Sequence, residues 1–130
     1  MSIERFPAAG TASADGPPYS HAVRANGFVF VAGQVGVDAQ GQLVEGGIEA
    51  EAHQTIRNAR AILRERGLDL ADVVKVMVWL ADPHDYHAFN AVYRQYFGAA
   101  LPTRACVRSE LMGPYKVEIE VMAAEGAAAA

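Results

Sequence analysis

Two short runs in the last third of the chain alternate in polarity and most strongly limit what it can fold into. They cover residues 102–108 and 116–121. Successive side chains of such a run point to opposite faces, so each run predicts a β-strand. If the apolar residues of both strands face one core, Arg104 and Glu118 project from the same side of the sheet. We expect this cation and this carboxylate to bind a small anion and to activate a water molecule beside it.

The patterns before these strands predict further strands and two helices. Residues 20–24 and 28–37 read as strands joined by Asn26-Gly27, a two-residue hairpin turn whose residues both tolerate positive φ. Residues 48–66 repeat apolar side chains at helical spacing. The pattern also predicts a short edge strand at 43–44 and a central strand at 73–80. A second helix is predicted to begin at Asp82-Pro83 and to end at Gly98. Its buried stripe is formed by Tyr86, Phe89, Tyr93 and Phe97.

This order predicts an α+β fold with both helices on one face of a mixed sheet. The strand order is not readable from the pattern, so a hairpin between the last two strands and a crossover both stay open. We expect residues 1–130 to form one domain, with residues 1–15 as an extended N-terminal arm and residues 125–130 as a flexible tail.

The strand predicted at residues 28–37 is apolar on both faces. Phe28 and Phe30 lie on one face, and Val29 and Val31 lie on the other. A strand of this kind needs cover on both sides, but two helices cover only one. Another copy of the same chain is the simplest cover for the second face, so the pattern predicts an oligomer.

Composition and charge narrow the class of protein. The net charge of −4 argues against non-specific nucleic-acid binding, which usually needs a basic face. The single cysteine, Cys106, cannot form an internal disulfide, which favours a reducing compartment. The first residues lack the pattern of a signal peptide, and no apolar run approaches the roughly 20 residues that span a bilayer. We expect a soluble cytosolic protein.

Arg104 and Glu118 each have a structural alternative. Arg104 could be a surface arginine in a salt bridge, although its guanidinium is also the side chain best matched to a carboxylate ligand. Glu118 could form an ion pair with Arg104 or Lys116, or it could act as a base or water-holding carboxylate. Glu120 is nearer the end of its strand and is the weaker candidate for that role.

The remaining candidates also have structural alternatives. Tyr19 follows two prolines and is either core filler or the lid of a pocket. Cys106 is more simply a buried small hydrophobe than a nucleophile, because no histidine is clearly placed to activate it. The four histidines form no pattern typical of a metal site.

Taken together, these segments resemble the reactive-intermediate deaminase family, also called the Rid or YjgF family and known under the description endoribonuclease L-PSP. The resemblance covers about residues 15 to 124. The matching segments are Gly16-Pro17-Pro18-Tyr19-Ser20, Val31-Ala32-Gly33-Gln34, Phe89-Asn90-Ala91-Val92-Tyr93, and Leu101-Pro102-Thr103-Arg104-Ala105-Cys106-Val107 with Val117-Glu118-Ile119-Glu120.

The resemblance implies a chorismate-mutase-like fold whose final strand runs inside the sheet, and a homotrimer with three clefts between subunits. It implies that Arg104 binds the carboxylate of a 2-imino acid. Glu118 and the backbone carbonyl of Cys106 would hold the attacking water. Residues implied to line the pocket are Tyr19, Gly33 and Asn90. No metal or cofactor is implied.

Departures from the family pattern bear on the choice of substrate. Ala32, also a candidate substrate-binding residue, stands where many members carry a hydroxyl residue, and Gly36 replaces a common proline. Tyr115 is expected near the cleft.

The resemblance implies an enamine/imine deaminase that produces 2-oxo acids and ammonia. A non-catalytic metabolite-binding trimer and an endoribonuclease or translation inhibitor remain alternatives.

Overall fold

The computed structural model describes residues 2–7 and 16–126 of the chain. Within these residues the chain forms six strands and two α-helices. In chain order they are β1 (Ile3–Pro7), β2 (Ser20–Ala25), β3 (Phe28–Val35), α1 (Gly47–Arg64), β4 (Val73–Leu80), α2 (Tyr86–Phe97), β5 (Thr103–Arg108) and β6 (Val117–Ala124). Short 3₁₀ turns, Leu70–Asp72 and Pro83–Asp85, precede β4 and α2.

The described strands form one mixed sheet in the order β1-β2-β3-β6-β4-β5. Neighbouring strands are antiparallel, except that β4 and β5 run parallel. The final strand, β6, lies between β3 and β4, and β5 lies at the edge. A hairpin between the last two strands is therefore wrong, and the interior position expected from the family resemblance is confirmed.

Both helices pack on one face of the sheet, as predicted. Ile56 and Leu63 of α1 and Phe89 and Phe97 of α2 are fully buried together with alternate residues of the central strands. Burying a side chain of this size stabilises the fold by about 1.5–3 kcal/mol. Tyr86 is an exception to the predicted stripe of α2. It is 40% exposed, because it lies at the start of the helix beside the sheet edge.

The arm predicted for residues 1–15 is partly wrong, because Ile3–Pro7 forms an edge strand that pairs with β2. Contacts with residues distant in sequence stabilise this edge strand. The Phe6 ring lies against the Arg66 guanidinium, with 3.7 Å between the guanidinium carbon and the ring centroid. Arg24 forms ion pairs with Glu4 and Glu125. Residues 8–15 and 127–130 lie outside the described residues, as does most of the predicted tail.

Two local predictions can be compared directly with the structure. The Asn26-Gly27 hairpin is confirmed, since φ is 51° at Asn26 and 81° at Gly27. The predicted edge strand at 43–44 is reduced to an isolated bridge between Val37 and Leu43.

The face of the sheet opposite the helices, here called the open face, is not covered by any of the residues described. Val29 and Val31 are buried under the helices, whereas Phe30 points to the open face and is 43% exposed. A depression of about 390 Å³ on this face is lined in part by Phe30, Met77 and Met122. The prediction of two apolar faces is confirmed, and the oligomer inferred from it stays a prediction. Neither described helix is long and apolar enough to cross a bilayer.

Candidate active site

Arg104 and Glu118 project from opposite faces of the sheet, so the prediction that they share a face is wrong. Arg104 is the register partner of the buried Val76 and points to the helix side. Glu118 is the register partner of Trp79 and alternates with buried residues of β6, so it points to the open face. The alternation of β5 separates its residues into two sets, but it does not say which set meets the helices.

An aromatic cradle on α2 holds the Arg104 guanidinium. The guanidinium carbon lies 4.8 Å from the ring centroid of Tyr93, 5.8 Å from that of Tyr86 and 5.9 Å from that of Phe89. A guanidinium nitrogen also donates a hydrogen bond of 3.3 Å to the Tyr86 hydroxyl. Contacts of this kind are worth about 0.5–2 kcal/mol each and hold the planar group without neutralising it.

No carboxylate pairs with Arg104 among residues 2–7 and 16–126. The salt-bridge alternative for Arg104 is therefore wrong within these residues. Burial raises the pKa of the neighbouring Tyr93 phenol to about 12, although the Arg104 charge acts in the opposite direction, so Tyr93 stays neutral beside the cation. A partly buried, unpaired guanidinium with free donors is suited to bind an anion that enters from the sheet edge.

The Glu118 carboxylate lies directly over Gly33 of β3. A methyl group at position 33 would overlap the Oε2 atom of Glu118. The pairing of β3 with β6 is irregular between Val31 and Gln34, which places the glycine at this point. The absence of a side chain at Gly33 therefore creates the space that the carboxylate occupies.

Glu118 is electrostatically unusual for a glutamate. Partial burial raises the pKa of its carboxyl group above the ordinary value, and the negative charge of Glu120 on the same strand raises it further. Within the part of the chain that the structure describes, Glu118 is in no ion pair, so the predicted alternative of a pair with Arg104 or Lys116 is wrong. A carboxylate with a raised pKa accepts a proton more readily at neutral pH.

The start of β6 is fixed by a buried glutamate of α1. Glu51 is 2% exposed, and its Oε1 atom accepts a 2.8 Å hydrogen bond from the backbone N–H of Lys116. A Cβ atom at Gly36 would lie 2.9 Å from the Glu51 Cα, so a side chain there would displace α1. Glycine at position 36, where the family commonly has proline, therefore allows β3 and α1 to approach closely. This approach places Glu51 where it fixes the segment just before Glu118.

Tyr19 and Ala32 belong to the part of the sheet next to the Glu118 strand rather than to the edge strand that carries Arg104. Tyr19 comes just before β2, and the antiparallel pairing of β2 with β3 brings this part of the chain beside Gly33. It is 53% exposed, so its interpretation as core filler is wrong. Ala32 lines the depression on the open face. We call Tyr19, Ala32, Gly33 and Glu118 the carboxylate half of the site.

Asn90 and Cys106 lie near Arg104. Asn90 is one helical turn after Tyr86, and its side-chain oxygen is buried with no hydrogen-bond partner among the residues described. An unpaired buried acceptor costs about 1–3 kcal/mol, so a donor from a ligand or another chain would stabilise it. Cys106 packs against the core, and burial raises the pKa of its thiol despite the Arg104 charge. This supports the interpretation of Cys106 as a small hydrophobe.

We call Tyr86, Asn90, Tyr93, Arg104 and Cys106 the guanidinium half of the site. Sequence reasoning assigned Tyr86 and Tyr93 to the core and missed their contacts with Arg104. Their spacing with Asn90 on one helical face was the available signal, because residues three and four apart are neighbours on a helix. Among the described residues, no group of three or more acidic, histidine or cysteine side chains could hold a metal ion.

The two halves cannot hold one small ligand within a single chain. The strand β4 separates β5 from β6, so Arg104 and Glu118 lie two strand spacings apart, roughly 10 Å across the sheet. They are also offset along the strands, because Arg104 is opposite Val76 whereas Glu118 is opposite Trp79. A site that uses both groups needs two copies of the chain.

Comparison with known proteins identifies the family. The family model described as Endoribonuclease L-PSP matches residues 11–125. The chain belongs to the reactive-intermediate deaminase family. A solved structure of a conserved Rid-family protein from Yersinia pestis superposes with a TM-score of 0.84 at 30% identity, covering 95% of this chain and 99% of that one. A YjgF-family protein from Neisseria meningitidis gives a TM-score of 0.81 at 29% identity, covering 96% of each chain.

Two relatives matched by sequence have higher identities than these two structures. The human 2-iminobutanoate/2-iminopropanoate deaminase is 41% identical over 120 residues, covering 89% of this chain and 88% of the human protein. A RutC family protein of Pyrococcus abyssi is 43% identical over 108 residues, covering 82% and 85% of the two chains. The α+β fold is shared with the two solved structures across nearly their full length.

Proposed function

We propose that this chain is a hydrolytic deaminase of reactive 2-imino acids, which it converts to 2-oxo acids and ammonia. The observation that carries the proposal is Arg104, a guanidinium held on aromatic rings with no carboxylate partner among the described residues. Such a group binds the carboxylate of a small substrate through two parallel hydrogen bonds. The names of the mammalian relatives, 2-iminobutanoate/2-iminopropanoate deaminase, support the same reaction.

The proposed active unit is a homotrimer with the site between subunits. Arg104 of one copy and Glu118 of another lie on opposite faces of their own sheets, so a contact between copies is the simplest way for both to reach one ligand. The exposed apolar side chains of the open face, including Phe30 and Val107, supply the surface that assembly buries. A monomer in solution would contradict this part of the proposal.

The proposed reaction needs orientation, a positioned water and a route for protons. Arg104 holds the carboxylate of the protonated imine, while Glu118 and the Cys106 carbonyl hold the water. Water adds to the imine carbon as Glu118 accepts one of its protons. Glu118 then returns this proton to the nitrogen, the C–N bond breaks, and the hydroxyl proton leaves with ammonia as ammonium. Tyr19 and Asn90 line the cleft around the substrate.

The direct test supplies 2-iminobutanoate from a threonine dehydratase and follows its disappearance. The wild-type protein should accelerate the release of 2-oxobutanoate, and Arg104→Ala should lose most of this acceleration because the carboxylate is no longer bound. The matched control is Arg57→Ala, since Arg57 is an exposed arginine of α1. Retention of wild-type activity in Arg104→Ala would contradict the proposed role.

Two other functions have distinct outcomes in the same assay. A metabolite-binding protein without catalysis would leave the imine decay unchanged even for the wild type. The family description Endoribonuclease L-PSP motivates a parallel assay of RNA cleavage. Cleavage that is lost in Arg104→Ala would favour a nuclease that uses the same site. Cleavage that survives this substitution and falls with further purification would indicate contamination.

A further inference from the structure

A second concave site lies beside the Arg104 cradle, between the ends of β4 and β5 and the start of α2. Its volume is about 290 Å³. It is lined by Leu80, Pro83, Tyr86, His87, Cys106 and Arg108. We call this the side pocket.

The side pocket is continuous with the carboxylate-binding position at Arg104. The Tyr86 ring lines the pocket, and the Tyr86 hydroxyl accepts the hydrogen bond from Arg104. Cys106 lines the pocket and is two residues beyond Arg104 on the same face of β5, because side chains alternate along a strand. A ligand whose carboxylate binds Arg104 therefore has a path along β5 into this pocket.

The lining changes from apolar to cationic along that path. Leu80, Pro83, Cys106 and the Tyr86 ring offer apolar surface suited to methylene groups. Arg108 lies at the far end, on the same face of β5 as Arg104. It is exposed and is in no ion pair among the described parts of the chain.

One described competitor for Arg108 is Asp82, whose pKa is lowered mainly by hydrogen bonds with His84 and to a smaller extent by the Arg108 charge. Asp82 already has other partners. Its Oδ1 atom accepts a hydrogen bond from the backbone N–H of His84 and lies 2.9 Å from His84 Nδ1. Asp82 is also a solvent-exposed N-cap, so its attraction to Arg108 is screened by water. The donors of Arg108 are therefore available to a ligand.

The spacing of the two arginines limits the length of such a ligand. Arg104 and Arg108 are four residues apart on one strand, or about 13 Å between their Cα atoms. An extended five-carbon chain separates its terminal carboxyl carbons by about 5 Å, given C–C bonds of about 1.5 Å. A two-point guanidinium contact adds about 4 Å at each end. A dicarboxylate of about five carbons, with its two contacts, thus has a span of about 13 Å, which matches the Cα separation of the two arginines and lies within reach of their long side chains.

We propose that the side pocket selects 2-imino acids whose side chain ends in a second carboxylate, with Arg108 as the specificity-determining residue. This inference rests on the proposed deaminase function for the role of Arg104. It adds the class of substrate, an imino dicarboxylate such as 2-iminoglutarate, in preference to a short monocarboxylate such as 2-iminobutanoate.

The first test measures the binding of the stable 2-oxo acid products by titration calorimetry. The wild-type protein should bind 2-oxoglutarate more tightly than 2-oxobutanoate. Arg108→Gln should weaken the binding of 2-oxoglutarate by about tenfold or more, since a hydrogen-bonded charge contact is lost, and should leave 2-oxobutanoate unchanged. Arg108→Lys should keep part of the preference. The control Arg57→Gln makes the same change in net charge away from the pocket and should change neither affinity.

The second test measures hydrolysis of the two imines, generated in place by an amino-acid oxidase from glutamate and from 2-aminobutanoate. Arg108→Gln should lower kcat/KM for 2-iminoglutarate alone. The pocket assignment would be overturned if Arg108→Gln lowered kcat/KM equally for both imines. It would also be overturned if the wild-type protein showed no preference for the dicarboxylate in binding or in hydrolysis. Failure to hydrolyse either imine would overturn the proposed function instead. The calorimetric comparison would then still decide whether the side pocket binds dicarboxylates.

Discussion

Glu118 and Arg104 lie in two contrasting environments of one sheet. Glu118 sits on an interior strand, above a glycine of the neighbouring strand, and has its pKa raised by partial burial and by Glu120. Arg104 sits on the edge strand and is held by side chains of α2 rather than by backbone. The carboxylate half is therefore shaped by close backbone packing, and the guanidinium half by contacts between side chains.

This difference suggests a division of labour. A carboxylate that moves protons needs a fixed position and a tuned pKa, which the interior of a sheet provides. A guanidinium that captures a substrate needs access from solvent, which an edge strand provides. Because the two halves face opposite sides of the sheet, the proposed site draws them from two copies of the chain. Substitutions in the carboxylate half should change mainly kcat, and those in the guanidinium half should change mainly KM.

The largest effect is expected for Gly33→Ala. The added methyl group would overlap Glu118 Oε2 and displace the carboxylate from the position at which we propose that it holds the water. A displacement of about 1 Å costs roughly 100-fold in rate, so steady-state kinetics should show a fall in kcat of that order with KM little changed. Gly41→Ala controls for a loss of stability without a clash, because Gly41 lies in a turn at φ 78° with no heavy atom within 4 Å of the added methyl group. A wild-type kcat in Gly33→Ala would show that the position of the carboxylate is not critical.

A smaller effect is expected for Tyr86→Phe. This change removes the hydroxyl that accepts the 3.3 Å hydrogen bond from Arg104 and keeps the ring. The loss of one hydrogen bond is worth about 0.5–1.5 kcal/mol, so KM should rise by roughly 3- to 10-fold while kcat changes little. Tyr96→Phe is the control, since the Tyr96 hydroxyl contacts His53 instead. A fall in kcat with unchanged KM would contradict the assignment of Tyr86 to substrate capture.

The smallest effect is expected for Glu120→Gln, and it is a shift in pH dependence. The Glu120 charge helps to raise the pKa of Glu118, so its removal should lower that pKa. The base form of Glu118 would then persist to lower pH, and the acid limb of the profile of kcat against pH should move down by less than about one unit. Glu45→Gln, at an exposed position before α1, should leave the limb in place. An upward shift, or no shift, in Glu120→Gln would mean that another group sets this limb.

Much of the fold was predictable from local patterns. Alternation located β2 to β6, helical spacing located both helices, and Asn26-Gly27 marked the hairpin because few residues other than glycine and asparagine adopt positive φ easily. The strand β1 was missed because its stability depends on distant partners. Phe6 packs on Arg66, and Arg24 forms ion pairs with Glu4 and Glu125. Because these partners are distant in sequence, nothing in residues 3–7 alone indicates a strand.

The candidate site divides in the same way. The sequence by itself determined which residues are candidates for the chemistry, because a guanidinium, a carboxylate and a glycine have properties that do not depend on the fold. Only the tertiary structure decided their arrangement: Arg104 turned towards α2, Glu118 turned to the open face, and Tyr86 in contact with Arg104. A period of two sorts the residues of a strand into two sets, whereas packing against the helices decides which set is covered.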